Sequence, residues 1–273
     1  MMVQNLATHP CFASCCNSFA RVHLPVAPAC NLQCNYCVRK FSCVNESRPG
    51  VTAQVLTPAQ AAARYEELRR RLPNLTVAGI AGPGDALANW PQVAETLRLV
   101  RELDSGVQLC LSTNGLLLPE YAPEIIALGV GFVTVTMNCV RPQIGALIYD
   151  FVNDKGNIYR GEDGAVLLLA RQLDGIRLLK RAGVIIKINC VAIDGVNTED
   201  IPAVARQAAA LGCDVMNIIP MLPVAGSAFA EVPELDAAKI ASLRRECGRY
   251  LRQMRHCVRC RADAVGTLRS AAL

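Results

Sequence analysis

The sequence has no apolar stretch long enough to cross a bilayer, few aromatic residues and no block of like charge. Aromatic residues make up 5% of its 273 residues, charged residues make up 19%, and histidine occurs three times. No stretch approaches the roughly 18 uncharged apolar residues that a membrane-spanning helix needs. The net charge of +5 is spread along the chain, and the run from Arg69 to Arg71 is typical of a solvated helix end. We therefore expect neither a membrane nor a nucleic acid as a partner.

The amino terminus also lacks the features of an export signal. Residues Met1 to Leu6 carry neither a cationic start nor an apolar segment, so we expect cytoplasmic localisation. In a reducing cytoplasm the 14 cysteines are not expected to form disulfides, and they favour metal binding instead. The apolar fraction of 52% excludes disorder and coiled coil, and the length permits one domain with short extensions.

From residue 52 onward a helix-period segment, a glycine and a short apolar run recur. Helices are predicted over 57–72, 91–105, 119–128, 165–182, 197–212 and 233–254, and strands over 24–29, 75–81, 107–112, 132–137, 184–193 and 215–219. The strands are apolar on both faces, as in a parallel sheet that helices cover. Six βα units are two short of a closed barrel, so we predict an α/β fold, a partial (βα)6 barrel over residues 23–254. Residues 1–22 and 255–273 are predicted to be cysteine-bearing extensions.

Three cysteines follow the first predicted strand at short spacing. Cys30, Cys34 and Cys37 form a C-x-x-x-C-x-x-C loop, a pattern that arises by chance only about 0.04 times at this cysteine content. Three thiolates on one loop can bind three irons of a 4Fe–4S cluster and leave the fourth iron open to another ligand. The alternative is a zinc knuckle in which Cys34 and Cys37 pair with Cys257 and Cys260, which leaves Cys30 unused.

This loop, with the aromatic Tyr36 before its last cysteine and a six-unit barrel behind it, resembles the radical S-adenosylmethionine (SAM) superfamily. Within the superfamily the chain resembles the NifB family of nitrogenase cofactor-maturation proteins. The segments that carry this resemblance are His9–Cys11, Val26–Asn31, Asn45–Val51, Gly79–Asp85, Cys110–Gly115, Asn138–Val140 and His256–Gly266. The resemblance covers residues 9–266 in order and implies a radical SAM enzyme of lyase or transferase type.

The resemblance implies a role for each matching residue near SAM. Cys30, Cys34 and Cys37 are implied to bind the SAM-cleaving cluster. The implied SAM-binding residues are Tyr36, Glu46, Gly82, Pro83, Gly84, Asp85, Ser112 and Asn114. The alternatives are an ordinary βα turn for the glycine-rich segment, helix capping for Ser112 and Asn114, and a surface ion pair between Glu46 and Arg48.

The resemblance also implies two further 4Fe–4S clusters, which are substrate precursors. The implied ligands are His23, Cys43 and Cys110 for one cluster, and Cys11, Cys257 and Cys260 for the other. The residues alone support these sets unevenly. A pair spaced like Cys257 and Cys260 arises by chance about 0.7 times, and a lone histidine such as His23 is often structural. Because Arg261 follows Cys260, a c-type haem site is excluded.

Six further cysteines have no implied ligand role. Cys139, Cys190, Cys213 and Cys247 lie in apolar segments, so we expect them to be small buried side chains. Cys15 and Cys16 lie between Cys11 and His23, in a segment that lacks the histidine of the family pattern. Either thiol can substitute for a cluster ligand.

The resemblance implies fusion of two 4Fe–4S clusters and insertion of a SAM-derived carbide, giving the eight-iron precursor of nitrogenase cofactor. It implies an iron–sulfur cluster donor and, since no flavin or nicotinamide motif is present, an external one-electron reductant of ferredoxin or flavodoxin type. Some family members carry a C-terminal cofactor-binding domain without counterpart here, which implies a separate carrier or scaffold protein. Two alternatives remain: a radical SAM enzyme on an organic or peptide substrate with an auxiliary cluster, and a non-enzymatic iron–sulfur or zinc protein.

Overall fold

Ten strands and seven α-helices occur in residues 6–12, 18–43 and 50–268, which are the residues that the computed structural model describes. The strands are β1 (Ala20–His23), β2 (Leu32–Cys34), β3 (Leu75–Ile80), β4 (Gln108–Thr113), β5 (Val130–Thr136), β6 (Tyr149–Asp154), β7 (Asn157–Tyr159), β8 (Ile185–Ala192), β9 (Val215–Pro220) and β10 (Val265–Gly266). The helices are α1 (Pro58–Arg71), α2 (Trp90–Leu103), α3 (Leu118–Ala127), α4 (Pro142–Ile148), α5 (Gly161–Arg181), α6 (Ile201–Ala210) and α7 (Ala237–Cys247).

A seven-stranded sheet in the order β10-β1-β3-β4-β5-β8-β9 forms the centre of the molecule. Its six longer strands are parallel, and β10 pairs with β1 in the antiparallel direction. The predicted partial barrel of six βα units is confirmed. Side chains that face its interior alternate along each strand and include Arg21 and His23, Val77 and Gly79, Cys110 and Ser112, Lys187 and Asn189, and Asn217 and Ile219.

The alternate side chains of the same strands form the hydrophobic core against the helices. They include Val22, Ala78, Leu109, Leu111, Val133, Val135, Ile186, Ile188, Met216 and Ile218. Burying one such side chain contributes about 1.5–3 kcal/mol, so this layer stabilises the curved sheet. Helix α1 begins as predicted, with a capping box between Thr57 and Gln60 and with Pro58 in the first turn. Among the described helices, none combines the length and apolarity required to cross a membrane.

Several predicted boundaries were wrong, among them the starts of α5 at Gly161 rather than 165 and of α7 at Ala237 rather than 233. The first strand is Ala20–His23 rather than 24–29, because Pro25 and Pro28 cannot donate the hydrogen bonds that a strand requires. The last helix ends at Cys247 rather than at residue 254, and Gly248 follows it, where a Cβ would lie 2.9 Å from the carbonyl oxygen of Arg244. Helix α6 begins at Ile201 after Asp200, and not at a cap on Asn197 or Thr198.

Both ends of the described chain close the open barrel. The backbone of Met216 on edge strand β9 bonds to Arg252 and Met254, with both N···O distances 2.8 Å, and β10 pairs with β1 at the other edge. Residues 252–266 therefore span the gap between the two edges. At the end where the parallel strands begin, Thr8 accepts hydrogen bonds from Thr76 at 2.7 Å and from Gln108 at 2.8 Å. Residues 6–12 thus cover that end of the barrel.

Candidate active site

The cysteine loop is held by a second, three-stranded sheet. Strand β2 pairs antiparallel with β6, and β6 pairs with β7, in an insertion between β5 and α5 for which no elements were predicted. Gln33 closes the loop from inside, since its Nε2 donates to the carbonyl oxygens of Cys34 at 3.0 Å and Cys37 at 2.9 Å. The loop that carries the predicted cluster ligands is therefore ordered by hydrogen bonds on both sides.

The three predicted cluster cysteines line one cavity. Its described lining residues are Cys30, Leu32, Cys34, Tyr36, Cys37, Arg39, Cys43, Gly84, Asp85, Ser112, Thr113, Asn114 and Thr136. We call this space the cysteine-loop cavity. It brings together most of the predicted SAM-binding residues, while Gly82 and Pro83 precede Gly84 in the adjoining turn. Glu46 and Arg48 lie outside the described residues.

Burial sets the state of the thiols in this cavity. It raises the pKa of Cys30 to about 11, and it also raises the pKa of Cys34 and Cys37. Arg39 opposes this effect through a hydrogen bond to Cys37, and it is the only cationic side chain among the described lining residues. Without metal the thiols are therefore protonated at pH 7, and metal binding must release their protons. Sequence reasoning missed Arg39, whose signal is a basic residue two positions after the last cysteine.

The thiols of Cys30, Cys34 and Cys37 all line this one cavity. No group of three or more His, Cys, Asp or Glu within residues 6–12, 18–43 and 50–268 converges on a point where one ion could bind. In a cubane each thiolate binds a different iron, so thiols spaced around a cavity suit it. The buried Nδ2 of Asn31, next to Cys30, has no hydrogen-bond partner and is a donor that a bound anionic group would satisfy.

The turn after β3 approaches the cysteine loop so closely that only glycine fits at its centre. A Cβ on Gly84 would lie 2.2 Å from the carbonyl oxygen of Ala29. The next residue, Asp85, is 4% exposed, and burial raises the pKa of its carboxyl. Its carboxylate accepts hydrogen bonds from the amides of Leu87 at 2.9 Å and Ala88 at 3.2 Å, and from Thr113 Oγ1 at 3.1 Å.

Asp85 also accepts from the backbone amide of Asn114, so protein donors already use both of its oxygens. As placed, its carboxylate fixes the ends of β3 and β4 rather than offering a free oxygen to an ammonium group. Asn114 is thereby oriented, and its Nδ2 donates to Asn31 Oδ1 at 2.6 Å and lies 3.9 Å from Cys30 Sγ. Asn114 links the end of β4 to the cysteine loop.

A chain of amides holds Tyr36 behind the cysteines. Asn138 Nδ2 donates to the Tyr36 hydroxyl at 2.9 Å, and Asn138 Oδ1 accepts from the backbone of Val191 at 2.9 Å. Asn197, 0% exposed, in turn donates to the Asn138 carbonyl oxygen at 2.8 Å. The Tyr36 hydroxyl bonds to the thiol of Cys34. The hydrogen bonds of Asn138 thus give a structural role to the first residue of the segment Asn138–Val140.

A second cavity of about 680 Å³ occupies the barrel interior and adjoins the first at Ser112, which lines both. Among its described lining residues are Cys11, His23, Cys110, Cys257 and Cys260, together with His9, Arg21, Lys187 and Arg259. We call this space the barrel cavity. It brings together five of the six residues predicted to hold precursor clusters. The sixth, Cys43, lies in the cysteine-loop cavity, so the structure does not join it with His23 and Cys110.

His23 has the hydrogen-bonding pattern of a metal-ligating histidine. Its Nδ1 lies 3.0 Å from the carbonyl oxygen of Arg261, and a carbonyl only accepts, so Nδ1 carries the hydrogen. Burial, and next the charge of Arg21, lower the pKa of His23 to about 4, so the ring is neutral and Nε2 keeps its lone pair. Gly79 separates His23 from Cys110 in the sheet register, and a Cβ there would lie 3.4 Å from the His23 ring.

The barrel cavity is strongly cationic. Arg21, Lys187 and Arg259 line it, and its described lining contains no aspartate or glutamate. Arg21 is 1% exposed and donates from Nη2 to Cys260 Sγ at 2.9 Å, while Lys187 is 7% exposed. Two buried donor atoms, Arg21 Nε and His9 Nε2, have no hydrogen-bond partner. These features fit an anionic ligand bound through thiolates.

Sequence reasoning missed these cations. Their signals were present: Arg21 precedes His23 by the two residues that keep a strand side chain on one face, and Lys187 interrupts an apolar strand. The zinc-knuckle alternative is wrong for the described residues, because Cys34 and Cys37 line one cavity while Cys257 and Cys260 line the other.

The prediction for the four cysteines without a ligand role is confirmed. Cys139, Cys190, Cys213 and Cys247 are all buried free thiols. Cys15 and Cys16 lie outside the described residues, so their predicted substitution for a ligand stays a prediction.

The sequence matches the Radical SAM superfamily over residues 24–208. It is 46% identical over 268 residues to the FeMo cofactor biosynthesis protein NifB of Chlorobaculum tepidum, covering 98% of this chain and 63% of that protein. It is also 46% identical over 273 residues to the NifB of Klebsiella pneumoniae, covering 98% of this chain and 58% of that protein. The chain therefore spans about three fifths of the length of these relatives.

Among solved structures, SuiB of Streptococcus suis superposes with a TM-score of 0.61 at 15% identity, covering 86% of this chain and 49% of SuiB. SuiB bound to S-adenosylmethionine superposes with a TM-score of 0.59 at 16% identity, covering 86% of this chain and 50% of SuiB. At this identity the likeness shows a shared fold alone.

Proposed function

Because this chain belongs to the radical SAM superfamily of enzymes, we propose that it acts in nitrogenase cofactor biosynthesis. Its reaction is the fusion of two 4Fe–4S clusters with insertion of a SAM-derived carbide. The observation that carries this proposal is the barrel cavity, which holds Cys11, His23, Cys110, Cys257 and Cys260 and adjoins the cysteine-loop cavity. The similarity to the NifB proteins of two bacteria supports the same role.

In this proposal Cys30, Cys34 and Cys37 hold the resident 4Fe–4S cluster beside SAM. That cluster, when bound, supplies the electron for reductive cleavage of SAM. Arg39 balances the charge of the thiolates, and Tyr36 fixes the position of Cys34. Gly84 lines the same cavity and lets the turn pack against Ala29, and Asp85 holds Asn114 at the cavity wall. These groups keep SAM at a fixed position next to the barrel interior.

The two precursor clusters are substrates in the barrel cavity. His23 presents a neutral Nε2 beside Cys110, and Cys11 shares the cavity with Cys257 and Cys260. Arg21 and Lys187 offset the negative charge that thiolates and sulfides bring into this enclosed space. Because Ser112 lines both cavities, the substrates and SAM are close neighbours, as a radical reaction between them requires. Cys43 lines the SAM side, and its assignment to a precursor cluster stays a prediction.

The chemistry also calls for partners. A radical SAM enzyme requires a one-electron reductant and a supply of iron–sulfur clusters, and we propose a donor of ferredoxin or flavodoxin type for the electron. We further propose that the product passes to a carrier or scaffold protein.

Iron and acid-labile sulfide per chain, measured after anaerobic purification and reconstitution, test the proposal. We expect about 12 irons in the wild-type chain and about eight in Cys257→Ala, which should cleave SAM but form no carbide product. Cys34→Ala should lose SAM cleavage. About four irons in the wild-type chain would instead favour a radical SAM enzyme with an organic substrate. Zinc with little iron would contradict both enzyme functions.

A further inference from the structure

The segment from the end of α7 into the tail is the most arginine-rich part of the chain. Residues 244–261 contain seven arginines and one acidic residue, Glu246. Five of these arginines line one open depression of about 790 Å³, together with only Gly248 and Gln253 among the described residues. We call this the arginine surface, and its members are Arg244, Arg245, Arg249, Arg252 and Arg255.

The charges of the arginine surface are not neutralised within the described chain. Its arginines form no ion pair with any described carboxylate, and four of them are exposed. Only Arg244 and Arg252 contribute side chains to the fold, by donating to the carbonyl oxygens of Ile218 at 2.8 Å and Phe12 at 3.2 Å. Like charges at this density repel one another, so the surface destabilises the isolated chain and complements an acidic one.

The arginine surface lies near residues that line the barrel cavity. Arg252, Gln253 and Arg255 also line a neighbouring cavity of about 460 Å³, whose other described lining residues include Cys11, Met254 and His256. Cys11 and Met254 in turn line the barrel cavity. The arginine surface therefore lies beside a cavity that Cys11 lines, and Cys11 also lines the barrel cavity.

The position of the surface distinguishes two possible kinds of acidic partner, a donor of iron–sulfur clusters and a donor of electrons. Gln253 pairs with Met216 near the start of β9, so the surface lies at the end of the barrel where the parallel strands begin. The cysteine loop follows the other end of β1. A partner on the arginine surface would reach Cys11 and the barrel cavity rather than the loop that receives the electron.

We propose that the arginine surface docks an acidic protein that delivers iron–sulfur clusters into the barrel cavity. This inference rests on the proposed function, because it requires clusters as substrates there. The negative face of the partner neutralises the arginines and brings its cluster close to Cys11, which lines the neighbouring cavity. Steering by opposite charge accelerates such an encounter and makes it sensitive to salt.

The test compares two ways of loading the same full-length chain. One uses an acidic scaffold protein that carries a 4Fe–4S cluster, and the other uses ferrous iron and sulfide. The variant combines Arg245→Glu, Arg249→Glu and Arg255→Glu. All three side chains are exposed, and none lines the barrel cavity or the cysteine-loop cavity; Arg255 lines the neighbouring cavity. The matched control is Arg70→Glu, Arg71→Glu and Arg181→Glu, with the same change in charge on exposed arginines elsewhere.

At low salt we expect protein-mediated loading of the variant to slow by about ten-fold or more, while the control loads like the wild-type chain. Added salt should slow the wild-type chain towards the variant, and loading from iron and sulfide should be equal in all three. Equal protein-mediated loading of variant and wild type would overturn the proposal. The proposal would also be overturned if the variant loaded normally but lost ferredoxin-driven SAM cleavage, because the surface would then bind the electron donor. Loss of binding to a labelled oligonucleotide with normal loading would overturn it as well, because the surface would then bind nucleic acid.

The same experiment separates this proposal from the proposed function. If iron and sulfide bring the wild-type chain only to about four irons, the precursor sites fail and the proposed function is wrong. If chemical loading reaches about 12 irons but the arginine variant accepts clusters from the scaffold normally, only the docking surface is wrong.

Discussion

Lys187 is the residue whose surroundings are most unusual for its type. A lysine is seldom buried, yet this side chain lines the barrel cavity, and its Nζ lies 5.8 Å from the ring centroid of Phe12. Its charge is one reason why the pKa of His9 is lowered, after the larger effect of burial. An anionic ligand in the barrel cavity would stabilise this ammonium group and be stabilised by it.

Lys187→Met keeps the length of the side chain and removes its charge. We predict that the variant retains the iron of the cysteine loop and cleaves SAM, but holds clearly less iron in the barrel cavity than the wild-type chain. Iron and sulfide analysis before and after gel filtration measures this loss. The control is Lys239→Met, a lysine that is 59% exposed. Equal iron retention by Lys187→Met and the wild type would contradict a role in binding.

Cluster loading should also depend on pH, because the ligand thiols are protonated at neutral pH. Burial raises the pKa of both Cys11 and Cys30 to about 11. A metal binds the thiolate, so raising the pH from 7 to 9 increases the reactive fraction up to about ten-fold per unit for each thiol. We predict faster loading from iron and sulfide at higher pH. The visible absorbance of the iron–sulfur clusters measures the rate of loading. Loading that is independent of pH in this range would contradict it.

At the scale of elements, the glycine-rich turn after β3 sets the distance between the sheet and the cysteine loop. Gly84→Ala would place a methyl group 2.2 Å from a backbone oxygen, so the turn must move. We predict loss of SAM binding, because the Ala29 segment that the turn contacts leads directly into Cys30, and a free energy of unfolding lowered by about 1–3 kcal/mol. Equilibrium SAM binding and urea unfolding measure the two effects. Gly106→Ala, with 3.4 Å to its nearest neighbour, should leave both unchanged.

Most elements could be predicted because their signals are local. The capping box joins Thr57 to Gln60, only three residues away, and the strand Leu75–Ile80 is one mostly apolar run. The first strand precedes the predicted segment 24–29. That segment is apolar, but its two prolines cannot donate the hydrogen bonds of a strand. The β6–β7 hairpin was not predicted, since its pairing partner β2 lies more than 100 residues away in sequence.

In the candidate site, too, local features could be predicted from the sequence and long-range contacts could not. Local spacing identified the cysteine loop, and the structure joins it with Gly84 and Asn114 from two other strands. The position of Cys43 in the cysteine-loop cavity depends on a backbone hydrogen bond from its amide to the Pro83 carbonyl oxygen, 2.7 Å long. Such a long-range contact leaves no mark on spacing. The convergence of Arg21 and Lys187 likewise requires the curvature of the whole sheet.

At the scale of the whole molecule, the tail residues 252–266 close the barrel with few regular hydrogen bonds. Cys257 and Cys260 sit at its centre, so a bound precursor cluster would fasten the tail to the barrel. We predict that loading slows amide hydrogen exchange in residues 255–266 and that Cys257→Ala with Cys260→Ala abolishes this change. Exchange measured by mass spectrometry on the apo and loaded chains is the test. Unchanged exchange on full loading would contradict fastening.

The closure of the barrel by the tail also orders events during synthesis on the ribosome. Strand β2 and its partner β6 are both present once about residue 154 has emerged, so the cysteine loop can be held early. The barrel cavity lacks one wall until residues 252–266 have emerged. A nascent chain can therefore fold its cysteine loop well before it can enclose a ligand in the barrel cavity. The barrel cavity is thus completed only after the tail residues 252–266 have been synthesised.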